Sequence, residues 1–364
     1  MMFANSVTQS KTGTLMVMAG GTGGHVYPAM AVADCMITHG WKVVWLCTEG
    51  GMENKLIEDK NYSKAMMTMR GVRGKGLLGW ILLPMKLVIA FKQSFAAMRK
   101  YRPTVVLGMG GFAAFPGGLM AKLLGKPLVI HEQNSIAGLT NKSLAHFANK
   151  VLVAFPAALA QQAELVGNPV REEITQLAMP EVRYGQRTGK LKLLVVGGSL
   201  GAAALNEVLP KALAALPENA RPEVVHQAGG KHIEALQANY HAAGVHAETK
   251  AFINNMAEMY AWADVVICRA GALTIAELAC VGVASVLVPF PHAVDDHQTY
   301  NAKYLSDAGA AKLIQQTEFN VQKATEILRN LTREVCLEMA IKAKQLAKPE
   351  ATHTVAKICM EVAL

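Results

Sequence analysis

The sequence predicts an α/β protein made of two doubly wound, Rossmann-like parallel-sheet domains facing each other across a cleft. Three observations predict it. Short runs of Val, Ile, Leu and Met end in glycine-rich turns, helix-spaced segments follow those turns, and the series restarts near the middle of the chain. Parallel strands covered by helices on both faces read as continuous apolar runs of this kind. The chain has 364 residues, 52% hydrophobic and 17% charged, enough for two cores of ordinary domain size and too apolar for disorder.

The elements follow in order. Leu15–Ala19 reads as a strand ending in Gly20-Gly21-Thr22-Gly23-Gly24-His25. Val26–His39 has helical spacing, and Pro28 falls in its first turn, where a missing N–H is tolerated. Lys42–Cys47, Thr104–Gly108, Leu128–His131 and Val151–Ala154 continue as strands, the second of them ending in Met109-Gly110-Gly111. Lys192–Val196 restarts the pattern and ends in Gly197-Gly198-Ser199-Leu200-Gly201-Ala202, and Glu223–Gln227, Val265–Cys268 and Ser285–Val288 complete a second sheet. The stretch from Asn168 to Gly189 is polar and holds Pro and Gly, and the junction is placed near Asn168–Arg171, giving domains 1–168 and 169–349. The end, 350–364, reads as a helix (about His353–Val362) whose candidate packing partner is the first domain.

The net charge of +9 is concentrated. From Lys60 to His131 there is no Asp or Glu but there are twelve Lys and Arg, which leaves 24 basic against 27 acidic residues elsewhere. The basic stretch has few aromatics for stacking on bases, so nucleic acid is a poor partner, whereas its aliphatic content suits an anionic membrane surface. Leu77, Leu78, Trp80, Ile81, Leu82 and Leu83 form an apolar patch beside Arg73, Lys75 and Lys86. The alternative for this region, above all for Val88–Met98, is an ordinary core helix with solvated basic residues. No run of about 18 apolar residues predicts a spanning helix, and the polar start predicts no secretory leader. The six cysteines form no CxxC pair and read as reduced, mostly buried thiols of a cytosolic protein.

Glycines directly after a strand and before a helix allow close backbone approach, and the helix N-terminus offers unpaired N–H groups to a phosphate. Packing explains such a loop equally well. The Gly20–Gly24 spacing is neither that of a dinucleotide fingerprint nor of a Walker loop. Three glycine loops spread over two halves suggest a diphosphate-rich complex. In Arg269-Ala270-Gly271-Ala272-Leu273-Thr274-Ile275-Ala276-Glu277, a strand gives way to a helix whose first N–H groups can hold a phosphate, with Glu277 placed to accept from a ribose diol. An acid favoured by the helix dipole explains Glu277 as readily. The chain has no Asp-x-Asp, the spacing expected of metal-dependent sugar transferases, and Asp295-Asp296 reads as loop polarity.

Six motifs in order carry a resemblance: Gly20-Gly21-Thr22-Gly23-Gly24-His25, His131-Glu132-Gln133-Asn134, Gly167-Asn168-Pro169-Val170-Arg171, Gly197-Gly198-Ser199, Gly271-Ala272-Leu273-Thr274 and Asp295-Asp296-His297-Gln298. Over nearly the whole chain they resemble the bacterial N-acetylglucosaminyltransferases that convert lipid I to lipid II for peptidoglycan. The resemblance implies a GT-B fold, an inverting transfer from UDP-GlcNAc to lipid I, and no metal or other cofactor. It also implies peripheral attachment to the cytoplasmic face of the inner membrane and cell-wall synthesis and division proteins as partners.

Roles come with the resemblance. Arg171 and Ser199 are assigned to the donor nucleotide, the Ile253 backbone to uracil, and Ala272, Leu273, Thr274, Ile275, Ala276 and Glu277 to phosphate and ribose. Asn134 and Gln298, each offering a donor and an acceptor, suit GlcNAc hydroxyls, with Thr22, Gly23 and Gly24 approaching the sugar. Gly110, Gly111, His131 and Glu132 are assigned to the acceptor and its diphosphate. His25 is the candidate general base, because imidazole in general titrates near neutrality. His131 and Glu132 remain alternatives for the base, and helix capping or diphosphate binding remain alternatives for His25. Members of the family often carry Ser at the position of Ala276. Three rivals stay open: a UDP-GlcNAc 2-epimerase, a transferase with another lipid acceptor such as diacylglycerol, and a non-catalytic binding protein.

Overall fold

The structure is a computed structural model that describes residues 12–68, 83–156, 158–159, 163–198 and 201–363. Its described residues form two compact units, one within Met1–Gln133, Ala137–Pro169 and Glu350–Leu364, the other Asn134–Ile136 and Val170–Pro349. The passage at Pro169–Val170 lies one residue from the position read from the sequence.

The first unit holds β1 (Thr14–Met18), β2 (Lys42–Thr48), β3 (Ser63–Met67), β4 (Val105–Gly108), β5 (Leu128–Glu132), β6 (Lys150–Val153) and β7 (Ala163–Leu165). They form a 7-stranded sheet in the order β3-β2-β1-β4-β5-β6-β7, with every neighbouring pair parallel. Both faces are buried, as the apolar runs require: Leu15 and Val17 enter one core, Met16 and Met18 the other. The first core also takes Val26, Ala29 and Ala33 from helix Gly23–Thr38 and Val355, Ala356 and Cys359 from helix Ala351–Val362. The terminal helix therefore belongs to the first unit.

The second unit holds β8 (Lys192–Val196), β9 (Glu223–Gln227), β10 (Glu248–Lys250), β11 (Val265–Cys268), β12 (Ala284–Leu287) and β13 (Ala311–Leu313). They form a 6-stranded parallel sheet in the order β10-β9-β8-β11-β12-β13. Strands β3, β7, β10 and β13, which the sequence reading did not contain, are the edges of the two sheets.

Arg73, Lys75, Leu77, Leu78, Trp80, Ile81 and Leu82 of the expected membrane patch lie outside the described residues. Leu83 opens helix Leu83–Tyr101. That helix buries Ala90, Ser94, Ala97 and Met98, while Met85, Val88, Ile89 and Phe95 are exposed on it. The core-helix alternative thus holds for one of its faces. No helix among the described residues is long and apolar enough to cross a membrane.

Candidate functional site

Ligands of open α/β sheets sit beyond the carboxyl ends of the strands where the strand order reverses. That place is β1/β4 in the first sheet and β8/β11 in the second. The Gly20–Gly24, Met109–Gly111, Gly197–Ala202 and Arg269–Thr274 segments follow those four strands.

In the first unit the loops after β1 and β4 are pressed together. Gly111 has φ +90°, and a Cβ there would lie 2.5 Å from the Gly20 carbonyl oxygen. Gly110 has φ +96°, and its Cβ would lie 3.0 Å from His25 Cε1, so only glycine leaves room for that ring. Helix Gly23–Thr38 starts from an extended Thr22 with no acid in its first turn. The N–H of His25 bonds the Thr22 carbonyl at 3.2 Å, so those of Gly23 and Gly24 precede the helical ladder. Beneath the loop lies Glu53, fully buried, accepting from the Thr48 N–H at 2.8 Å and the Thr48 hydroxyl at 2.6 Å. Sequence reasoning missed Glu53, because an acid on a short helix carries no signal of burial.

His25 is half-buried, and its Nδ1 lies 2.8 Å from Gln133 Oε1. Gln133 Nε2 in turn lies 3.1 Å from His131 Nδ1, and His131 Nε2 lies 2.8 Å from the Gly167 carbonyl oxygen. His131 is fully enclosed, and burial pushes its pKa down to about 4 against the raising effects of the Gly167 carbonyl and Glu132. Glu132 is buried too, its Oε2 accepting from the Gly138 N–H and the Asn141 amide at 3.1 and 2.9 Å. The assignment of His131 and Glu132 to the acceptor diphosphate, or to the base, thus falls on two buried side chains: both ring nitrogens of His131 and Oε2 of Glu132 already have partners inside the unit. Gln133, unassigned in the sequence, joins His25 to His131.

In the second unit, helix Ala272–Val281 starts from Gly271, and the Ile275 N–H bonds the Gly271 carbonyl at 3.0 Å. The N–H groups of Ala272, Leu273 and Thr274 thus precede the ladder, with no acid in the first turn. Glu277 is 5% exposed; its Oε1 accepts from Arg171 at 3.2 Å and its Oε2 from the Tyr260 hydroxyl at 3.0 Å. Burial raises its pKa, and Arg171 and the Tyr260 hydrogen bond oppose that. A carboxylate has about four acceptor positions, so two remain for a diol. Tyr260 escaped the sequence reading because nothing local distinguishes it from a core tyrosine.

The Gln298 side-chain oxygen accepts from the Phe290 N–H at 2.9 Å, so its NH₂ end is what remains to donate. Asn134, grouped with the second unit, accepts from the buried Asn301 amide at 3.3 Å. Ile253 is buried beside an exposed Phe252. Asp295 and Asp296 are turn residues at φ +53° and +51°, and Asp296 accepts from the Thr299 hydroxyl. Arg269 is engaged by the Val288 and Pro289 carbonyls and Gln316. Ser199 lies outside the described residues.

Residues 15–153 match the glycosyltransferase family 28 N-terminal domain and residues 192–355 its C-terminal domain. The chain is 54% identical to the UDP-N-acetylglucosamine--N-acetylmuramyl-(pentapeptide) pyrophosphoryl-undecaprenol N-acetylglucosamine transferase of Nitrosospira multiformis, over 96% of this chain and 98% of the relative. It is 57% identical to the transferase of the same name from Cupriavidus necator, with the same coverage of each chain. The crystal structure of Acinetobacter baumannii MurG superposes with a TM-score of 0.84 at 42% identity, over 96% of this chain and 99% of that one. A kitacinnamycin glycosyltransferase, at 16% identity and a TM-score of 0.73 over 97% of this chain and 100% of that one, shares the fold alone. The architecture is GT-B, and the chain belongs to the UDP-N-acetylglucosamine--N-acetylmuramyl-(pentapeptide) pyrophosphoryl-undecaprenol N-acetylglucosamine transferases of glycosyltransferase family 28.

Proposed function

We propose that this chain transfers GlcNAc from UDP-GlcNAc to the MurNAc 4-hydroxyl of lipid I with inversion, giving lipid II, and that no metal ion takes part. The observation that carries the reading is that the Gly20–His25 and Gly271–Thr274 motifs follow β1 and β11, each at the strand-order reversal of its sheet. The acceptor oxygen bonds to the anomeric carbon as the bond to the UDP oxygen breaks, and His25 takes the hydroxyl proton. The negative charge gathering on UDP is met by the N–H groups of Ala272–Thr274 and by Arg171, preorganised donors of the kind that stabilise a leaving group without a metal. Glu277 and Ile253 hold ribose and uracil, Ser199 a phosphate, and Asn134 and Gln298 the GlcNAc hydroxyls. Thr22–Gly24, with Gly110 and Gly111, form the backbone that approaches the sugar and the acceptor.

The reading extends to a peripheral site on the anionic cytoplasmic face of the inner membrane. It is supported by Met85, Val88, Ile89 and Phe95, exposed on helix Leu83–Tyr101 together with Lys92 and Arg99. Each basic residue at such a surface contributes about 1 kcal/mol. Val88→Glu with Phe95→Glu is expected to abolish most sedimentation with anionic liposomes and leave transfer to a soluble acceptor intact; undiminished sedimentation would remove this helix from the membrane contact.

The deciding assay is transfer of labelled GlcNAc to a short-chain lipid I analogue in the presence of EDTA. Product supports donor, acceptor and metal independence together. No product, with UDP-GlcNAc binding intact by calorimetry, would keep the donor site and return the reaction to an epimerase or another lipid acceptor.

A further inference from the structure

We infer that Gln133 and His131 are positioning residues that hold His25 in its Nδ1–H form, so that Nε2 is the atom that receives the acceptor's proton. The catalytic meaning of this rests on the reading of His25 as the base. The tautomer follows from the hydrogen bonds, starting at the buried end.

A carbonyl oxygen only accepts, so the 2.8 Å contact with Gly167 places a hydrogen on His131 Nε2. His131 is fully enclosed and, with its pKa near 4, neutral at neutral pH. Its Nδ1 is then a bare acceptor. One end of the Gln133 amide lies 3.1 Å from that Nδ1 and 3.0 Å from the His131 carbonyl oxygen. Two acceptors there require the NH₂ end, which turns the amide oxygen toward His25. Gln133 is 1% exposed and its Nε2 also lies 3.7 Å from Met109 Sδ, so the amide is held against flipping. Its oxygen, 2.8 Å from His25 Nδ1, can only accept. His25 Nδ1 therefore carries the hydrogen, and the lone pair of the neutral ring is on Nε2.

The same arrangement serves both protonation states. When Nε2 gains the proton from the acceptor hydroxyl, the Nδ1–H bond to Gln133 persists and no partner has to move. The opposite tautomer would set two lone pairs against each other at 2.8 Å.

The test is the nitrogen-15 spectrum of the histidine rings in the full chain at about pH 8, above the usual imidazole range, with His25→Gln identifying the His25 signals. The expected spectrum has His25 protonated at Nδ1 and unprotonated at Nε2. Gln133→Leu should mix the two tautomers and lower kcat by about 10- to 100-fold, less than the roughly 10²- to 10⁴-fold of losing a general base outright, while KM for UDP-GlcNAc changes less than about twofold. Gln133→Glu, which keeps an acceptor for Nδ1–H but sets its second oxygen against the two His131 acceptors, should keep His25 protonated at Nδ1 at reduced stability. A wild-type His25 protonated at Nε2 overturns the inference even if no Gln133 variant folds, as does an unchanged tautomer in Gln133→Leu. If the tautomer shifts as expected but kcat does not fall, the base reading of His25 fails and the positioning stands.

Discussion

Each half of the chain buries a histidine on a strand close to its glycine loops, and the two differ in where their hydrogen bonds end. His131 on β5 and His226 on β9 are both fully enclosed, and burial pushes their pKa values down to about 4 and about 3. Both use both ring nitrogens. His226 Nε2 lies 3.0 Å from Asn206 Oδ1 and Nδ1 lies 2.9 Å from the Tyr240 hydroxyl. Asn206 donates onward to the Ala228 carbonyl, and Asn206 and Tyr240 are themselves buried, so this chain closes inside the second unit. The His131 chain instead passes through Gln133 to the half-buried ring of His25. A buried, neutral, fully bonded histidine is thus a structural device in either half. It acquires a role in the reaction only where its chain reaches a group that substrate can touch.

The largest effects should separate the two chains outright. His25→Ala is expected to lower kcat by about 10²- to 10⁴-fold with little change in urea stability, since the ring is only half-buried. His226→Ala should do the reverse. It strips partners from Asn206 and Tyr240 inside the core, at a cost of about 1–3 kcal/mol for each unsatisfied group, while the folded fraction keeps kcat within about twofold. Transfer assays and urea titrations on both variants decide the matter. A loss of kcat in His226→Ala matching that of His25→Ala would erase the distinction.

Acid should weaken both halves alike. Each histidine has a folded pKa below its unfolded value, so the unfolded chain takes up the proton first. The stability they contribute is present above about pH 6.5 and is lost as pH falls toward about 4 for His131 and about 3 for His226. For His131 the loss is on the order of 3 kcal/mol. Unfolding free energies between pH 7 and pH 4.5 should show this slope, and His226→Leu should reduce it by about one proton. An identical slope in the variant would mean that His226 is not neutral in the folded chain.

How much of this the sequence showed depends on burial. The central strands of both sheets were legible because burial on two faces demands unbroken apolar runs, as in Leu15–Met18 or Val265–Cys268. The four edge strands were not: Glu248–Lys250 and Ala311–Leu313 are short and half-exposed, and an edge has one neighbour and a relaxed demand for apolar residues. The site divides in the same way. Glycine loops at strand ends declare themselves, since glycine there answers a backbone need, as at Gly110 and Gly111. Partners brought together by folding do not. Gln133 and Tyr260 look like any buried polar residue until His25 and Glu277 are found against them, and His131 and Glu132, prominent in a motif, prove to face inward.

The smallest effect tests whether the second half only binds. Ala276 is half-buried on helix Ala272–Val281, immediately before Glu277, at a position where the family often carries Ser. Ala276→Ser would offer the donor one more hydroxyl, worth about 0.5–1.5 kcal/mol, set against a helix propensity loss of a few tenths of a kcal/mol that falls on stability rather than affinity. The expected result is a KM for UDP-GlcNAc lowered about two- to tenfold at unchanged kcat, the mark of an interaction equally strong in ground and transition states. If kcat rises instead, the start of this helix gains strength as charge moves onto UDP, and the second half takes part in the chemical step as directly as His25 does. Titrating the donor at saturating acceptor separates the two outcomes, because only the second changes the plateau.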